Sequence, residues 1–187
     1  MKMIISLFIS CFMFCALATD IKAEEGIYYT RCNLKVLKGS YISWVNWQSA
    51  KEYLQVGTKV QVKSEKNKIS LFDVNAKRNY VLDMGQAGNS FLDKFVTKRP
   101  VDINRFPKEI QANVNGAVAR VGMTKEQVYI AMGPPAWITS GNTNTKTYEN
   151  ILATNLWLYK RRRFGKNIGI EFDSATGQAV RTEGIWR

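Results

Sequence analysis

The 187-residue chain is 45% apolar and 22% charged, the balance of a folded globular protein rather than a disordered one. Its 27 Lys and Arg outnumber 15 Asp and Glu, and the resulting net charge of +12 favours anionic partners. With no histidine it has no His-based triad, His general base or His-ligated metal, and its three cysteines make neither a disulfide framework nor a cysteine-cluster zinc site.

Residues 1–23 read as an export signal. Lys2 supplies the n-region charge, and Met3 to Ala18 is an apolar h-region shorter than the roughly 20 residues that span a bilayer. Cleavage fits after Ala18 or after Ala23, and the polar Thr19-Asp20 favours Ala23. Cys15 raises the question of lipidation, but Phe12-Met13-Phe14 replaces the small residues expected before a lipidated cysteine. The expected product is an exported protein beginning at Glu24 that works in the periplasm or cell envelope. Lys2, Lys22 and Asp20 leave with the signal, so 25 basic and 14 acidic residues remain and the basicity belongs to the folded part.

Residues 24–97 show period-two alternation. In Val56 to Lys63, Thr58, Val60 and Val62 share one face while Lys59, Gln61 and Lys63 share the other, as in a half-buried strand. Ile69 to Val74 and Asn79 to Asp83 predict two more strands, separated by turns at Glu65-Lys66-Asn67 and Asn75 to Arg78. Upstream, Tyr28 to Leu37 and Tyr41 to Trp47 predict two others, split at Lys38-Gly39. Five short strands at this spacing predict a small antiparallel sheet or barrel. The segment resembles an SH3-like barrel, with Gly57-Thr58-Lys59-Val60 similar to a Gly-Thr-x-Val strand entry. A short helix is predicted from Ser90, with Asp93 as capping-box partner.

Pro100 and Pro107 disfavour helix in the residues before them, so 98–107 reads as a linker. A fragment from about residue 104 onward is therefore expected to fold alone. Within residues 108–187, a helix over Lys108 to Ala119 precedes one whose ends are both written out. Thr124 is its N-cap with Gln127 at N3, Met123 and Val128 form a hydrophobic staple, and Gly133-Pro134 ends it. A polar loop from Ser140 to Thr147 leads to a three-strand meander over Asn155 to Lys160, Ile168 to Phe172 and Gln178 to Thr182. Its turns lie at 163–167 and 173–177.

The Gly122-Met123-Thr124 to Gly133-Pro134-Pro135 helix, the Trp157-Leu158-Tyr159 strand and the Ile170 to Val180 hairpin resemble the SmpA/OmlA family of BamE-like envelope domains. The resemblance implies an α+β unit of two helices and a three-stranded antiparallel sheet that acts by contact. In the founding members that contact is with the outer-membrane β-barrel assembly machinery. Those members are lipoproteins and lack a β-rich N-terminal domain.

Lys160, Arg161, Arg162 and Arg163 form the densest charge run, at a strand end. They are candidate contacts for the phosphate of an anionic lipid headgroup or for a carboxylate-rich surface, or a charged tip that blocks edge pairing. Trp44 and Trp47, in a strand predicted to turn them to opposite faces, are candidates for an exposed aromatic surface or for core. Cys32 reads as a small buried hydrophobe. No phosphate loop or nucleophile elbow is present, and Glu171 with Asp173 is the nearest approach to a carboxylate pair. The sequence thus leads to a non-catalytic interaction module of the envelope, without cofactor, metal or nucleic acid. A protein binding cell wall or anionic ligands is the second reading and a carboxylate hydrolase the third. A large apolar patch on the C-terminal sheet would favour the first, a groove lined by Trp and Arg the second, and a buried carboxylate pair the third.

Overall fold

The computed structural model describes residues 25–65, 68–163 and 166–182. The predicted export signal, with Cys15, Ala18 and Ala23, lies outside the described residues, as do the turn residues Lys66, Asn67, Phe164 and Gly165. The fold is α+β, with three α-helices and two sheets among the described residues.

The first sheet comprises β1 (Gly26–Thr30), β2 (Leu34–Leu37), β3 (Tyr41–Ser43), β4 (Glu52–Leu54), β5 (Lys59–Glu65), β6 (Lys68–Asp73), β7 (Arg78–Asp83) and β8 (Val96–Thr97). Their order is β4-β2-β3-β7-β6-β5-β1-β8, curling into a half-barrel. The alternation in β5 reports burial as expected: Val60 and Val62 are buried while Lys59, Gln61 and Lys63 are exposed.

Two differences from the predicted five-stranded antiparallel barrel have local causes. Gly39 and Ser40 both adopt positive φ (75° and 68°), reversing the chain, and Ser40 accepts a bond from Val81 N–H at 3.0 Å. The next strand, β3, thereby lies parallel to β7. In addition, β3 stops at Ser43, where Asn46 N–H donates to the Ser43 carbonyl at 2.9 Å and φ of Asn46 is 51°. Trp44 therefore lies on a turn and Trp47 in the irregular stretch after it, and neither is on a strand. The helix predicted at Ser90 is a kinked 3-10 stretch, Gly85–Lys94, with no side-chain cap at its start. The carboxylate of Asp93 instead accepts from Tyr148 N–H at 2.9 Å, in the other half of the chain.

Residues 98–107 lead to α1 (Lys108–Asn115) and α2 (Lys125–Met132). The Thr124/Gln127 capping box forms as expected, and Met123 and Val128 are buried beside it. The second sheet has five strands rather than three, ordered β10-β9-β11-β12-β13. Its meander is β11 (Leu156–Tyr159), β12 (Ile168–Phe172) and β13 (Ala179–Arg181), and a hairpin of β9 (Trp137–Ile138) with β10 (Gly141–Asn142) is added at one edge. Strands of two residues carry no readable period. A third helix, α3 (Tyr148–Leu152), follows the polar loop, with Thr147 and Asn150 forming its capping box.

One hydrophobic cluster runs from Tyr28 to Ala179, and Val101 and Ile103 of the connecting stretch pack against it. At its centre Tyr129 of α2 meets Trp157 of β11 edge to face, with centroids 6.0 Å apart, and Trp157 meets Phe172 of β12 at 4.6 Å.

Candidate functional site: a basic cleft beside an uncovered sheet face

The two halves meet along a seam built on the last turn of α2. That turn leaves carbonyls without partners inside the helix, and the N-terminal half supplies donors for them. Asn33 N–H donates to the Ile130 carbonyl at 3.0 Å, and Asn33 Nδ2 donates to Ala131 (3.0 Å) and to Val114 of α1 (2.7 Å). Asn46 Nδ2 donates to Met132 at 2.6 Å, and Gln48 Nε2 shares the same acceptor at 3.1 Å. The loop carrying Gln48 is also tied to the end of β11: Gln48 N–H and Ser49 N–H donate to the carbonyls of Lys160 and Arg161, each at 2.9 Å. Farther along, Lys94 is 1% exposed, and its Nζ donates to the carbonyls of Thr143 (2.7 Å) and Asn144 (2.8 Å). Burial lowers its pKa to about 8, and neighbouring Asp93 partly opposes that shift.

Where the seam opens to solvent it forms a cleft of about 570 Å³. One wall is Ala117 to Arg120, between α1 and α2; the other is Arg161, Lys166 and Ile168; Met132 and Gln48 close the base. The first wall is turned into place by Ala117, whose φ of 52° is left-handed without being glycine. Val118 N–H then donates back to the Asn113 carbonyl at 3.0 Å and closes the end of α1. Arg120 N–H points to the Met123 sulfur at 3.2 Å. Three cations border this space, Arg120 from the α1–α2 loop and Arg161 and Lys166 from the β11–β12 connection, and no carboxylate is among the described residues lining it.

The cluster Lys160 to Arg163 is divided. Lys160 is half-buried with Nζ 4.7 Å from the centroid of the Trp137 ring, Arg161 lines the cleft, and Arg162 and Arg163 are exposed away from it. Trp44 and Trp47 are each half-buried. Trp44 lies against Gly85 so closely that a Cβ there would come within 2.8 Å of its ring. Neither tryptophan lines the cleft. Arg120 escaped notice in the sequence because it is a lone cation in a loop, and only the fold sets it opposite Arg161.

The outer face of the second sheet is the other open surface. Paired residues share a face, so the Leu158–Trp137 and Leu156–Glu171 pairs place Trp137, Leu156 and Leu158 opposite the buried Trp157, Tyr159 and Ile170. All three are partly exposed. Val180, 53% exposed, borders the same shallow depression as Leu156 and Glu171.

Glu171 is exposed on this face, while Asp173 serves a turn. Asp173 Oδ1 accepts from Ala175 N–H (3.1 Å), Thr176 N–H (2.7 Å) and Thr176 Oγ1 (2.9 Å), and the Thr176 bonds lower its pKa. Cys32 is fully buried, and burial pushes its thiol pKa up. No group of three potential metal ligands occurs among the described residues. No described helix is long and apolar enough to cross a membrane. Comparison with family models, curated proteins and solved structures finds no match to the chain.

Proposed function

We propose that the protein is an exported, non-catalytic envelope protein that acts as a protein-interaction module. The observation that carries this reading is the outer face of the second sheet. Trp137, Leu156, Leu158 and Val180 are only partly covered there, whereas Trp157, Tyr159, Ile170 and Phe172 on the opposite face are buried. Apolar side chains left partly exposed on one face of a sheet mark a contact surface more often than an accident of composition. Export is supported by the n-region charge, the h-region to Ala18 and the polar residues before Ala23. The finer fold reading belongs to the same proposal: α1, α2 and the β11–β13 meander, with β9, β10 and α3 between them, support a BamE-like unit, and the β5–β6–β7 hairpins an SH3-like one.

Photocrosslinking in cells tests the proposal. A photoreactive residue at Leu158 or Val180 is expected to give a discrete adduct with an envelope protein, whereas one at the exposed Lys77, on the first sheet's far turn, gives none. Absence of an adduct from both Leu158 and Val180 would overturn the reading. An adduct with an outer-membrane assembly component would place the protein with that machinery.

A further inference from the structure

We infer that the seam cleft binds an acidic peptide segment that carries both carboxylate and apolar side chains. This rests on the reading of the protein as an interaction module and names the partner chemistry of a second surface, beside the sheet face.

The charge pattern points first to an anion. Arg120 borders the cleft from the α1–α2 loop and Arg161 and Lys166 from the β11–β12 connection, with no carboxylate among the described lining residues. Each lies in a high-dielectric rim where one ion pair contributes little, but three around one space select strongly by charge. The two arginines offer planar forks that match carboxylates. Arg161 is presented from a braced segment, since its carbonyl accepts from Ser49 N–H.

The remaining lining decides between anions. Val118, 39% exposed, and the partly buried Ile168 give apolar contact in the same lining. A free phosphate would leave this surface unused. An acyl chain needs an enclosed apolar channel, whereas this space is open to solvent along the seam and has the Gln48 amide at its base. A peptide carrying both carboxylate and apolar side chains suits both parts at once. The volume of about 570 Å³ holds a few such side chains.

The test uses the purified full chain and a fluorescent hexapeptide, acetyl-Glu-Leu-Glu-Val-Glu-Leu-amide, followed by anisotropy. Saturable binding that weakens with added salt is expected. Arg120→Gln, Arg161→Gln and Lys166→Gln should each weaken it roughly 3- to 10-fold, and Arg161→Lys should restore only part of the loss. Arg162→Gln, one residue along and outside the cleft, should leave affinity within about twofold. The proposal is overturned if the peptide does not bind, if its Gln-for-Glu analogue binds equally well, or if Arg162→Gln is as damaging as Arg161→Gln. Cleft-dependent binding to phosphatidylglycerol vesicles without peptide binding would overturn it in favour of a lipid ligand. Equal melting temperatures of the variants exclude misfolding as the cause. Crosslinking from Leu158 that persists in the triple Gln variant would leave the interaction reading standing even if the cleft proposal fails.

Discussion

The two ends of α2 are stabilised in opposite ways. At its start, Thr124 and Gln127 satisfy each other's backbone N–H groups across three residues, in a box that any isolated peptide of this sequence carries with it. At its finish the helix depends on the other half of the chain, because Asn33, Asn46 and Gln48 reach its last carbonyls from 84 to 98 positions away. Gly133 completes the difference. Its φ of 74° permits the chain to turn out of the helix, and the absence of a side chain lets Asn46 approach, since a Cβ there would lie 2.2 Å from Asn46 Nδ2. One helix thus begins as a local structure and ends as a tertiary one, and the seam that closes it also forms the base of the basic cleft.

The largest test of that asymmetry removes one side of it. A fragment covering residues 104–187 keeps the capping box but loses every seam donor, and its apolar surface against the first sheet becomes exposed. It is expected to melt broadly, with cooperativity restored only in the full chain; a sharp calorimetric transition of the fragment would instead support the linker reading of 98–107. Gly133→Val comes next. It forces a β-branched residue to positive φ and into the Asn46 amide, so a loss upwards of about 4 kcal/mol is expected in urea titration. A loss under 1 kcal/mol would show that the seam has room to yield.

Asn46→Ala tests the donor side without steric insertion. It leaves Lys35 N–H, which now donates to Asn46 Oδ1 at 2.7 Å, unpaired in a buried site, and deprives Met132 of one of its two donors. A cost of about 2–4 kcal/mol is expected from chemical denaturation. These contacts explain what was legible in the sequence. The capping box, the staple, the alternation of β5 and the Asp173 turn all join residues a few positions apart, and each was readable. Asn33 and Asn46 look like loop asparagines in sequence, because nothing local says that their amides meet a helix end nearly a hundred residues later. The cleft was half legible for the same reason: the Lys160 to Arg163 run is visible as composition, but only the seam separates Arg161 from its neighbours and brings Arg120 and Lys166 to it.

Lys94 gives the seam a dependence on pH. Its folded pKa of about 8 lies below the ordinary lysine value of 10.5, because burial disfavours the charged form. Below pH 8 the residue is charged in both folded and unfolded states and the cost of burying that charge is fully present. Between pH 8 and 10.5 the unfolded chain holds the proton and the folded one does not, so this group's contribution to stability improves as pH rises. Relative to Lys94→Met, which has no such group, the parent protein is expected to gain on the order of 2 kcal/mol between pH 7 and 9.5. Tyr129 and Tyr159, whose buried hydroxyls have raised pKa values, work in the other direction above pH 10 and set the upper limit of the comparison. Parallel stability curves for the two proteins across that range would mean that Lys94 keeps its proton through the two carbonyls it contacts.

The smallest effect belongs to the local end of α2. Thr124→Ala removes the side-chain acceptor for Gln127 N–H, now at 3.3 Å, and leaves Gln127 Oε1 still able to accept from residue 124 N–H. Half of the box survives, and the first turn borders solvent, so a loss of about 1 kcal/mol is expected from urea titration. The more informative measurement is additivity. Because the cap acts within one turn and Asn46 acts at the far end, the double variant Thr124→Ala/Asn46→Ala should lose the sum of the two single costs to within about 0.5 kcal/mol. A substantially smaller combined loss would mean that the seam already frays when the cap is removed, and that α2 transmits strain along its two turns; the local and tertiary ends would then be one cooperative unit rather than two independent ones.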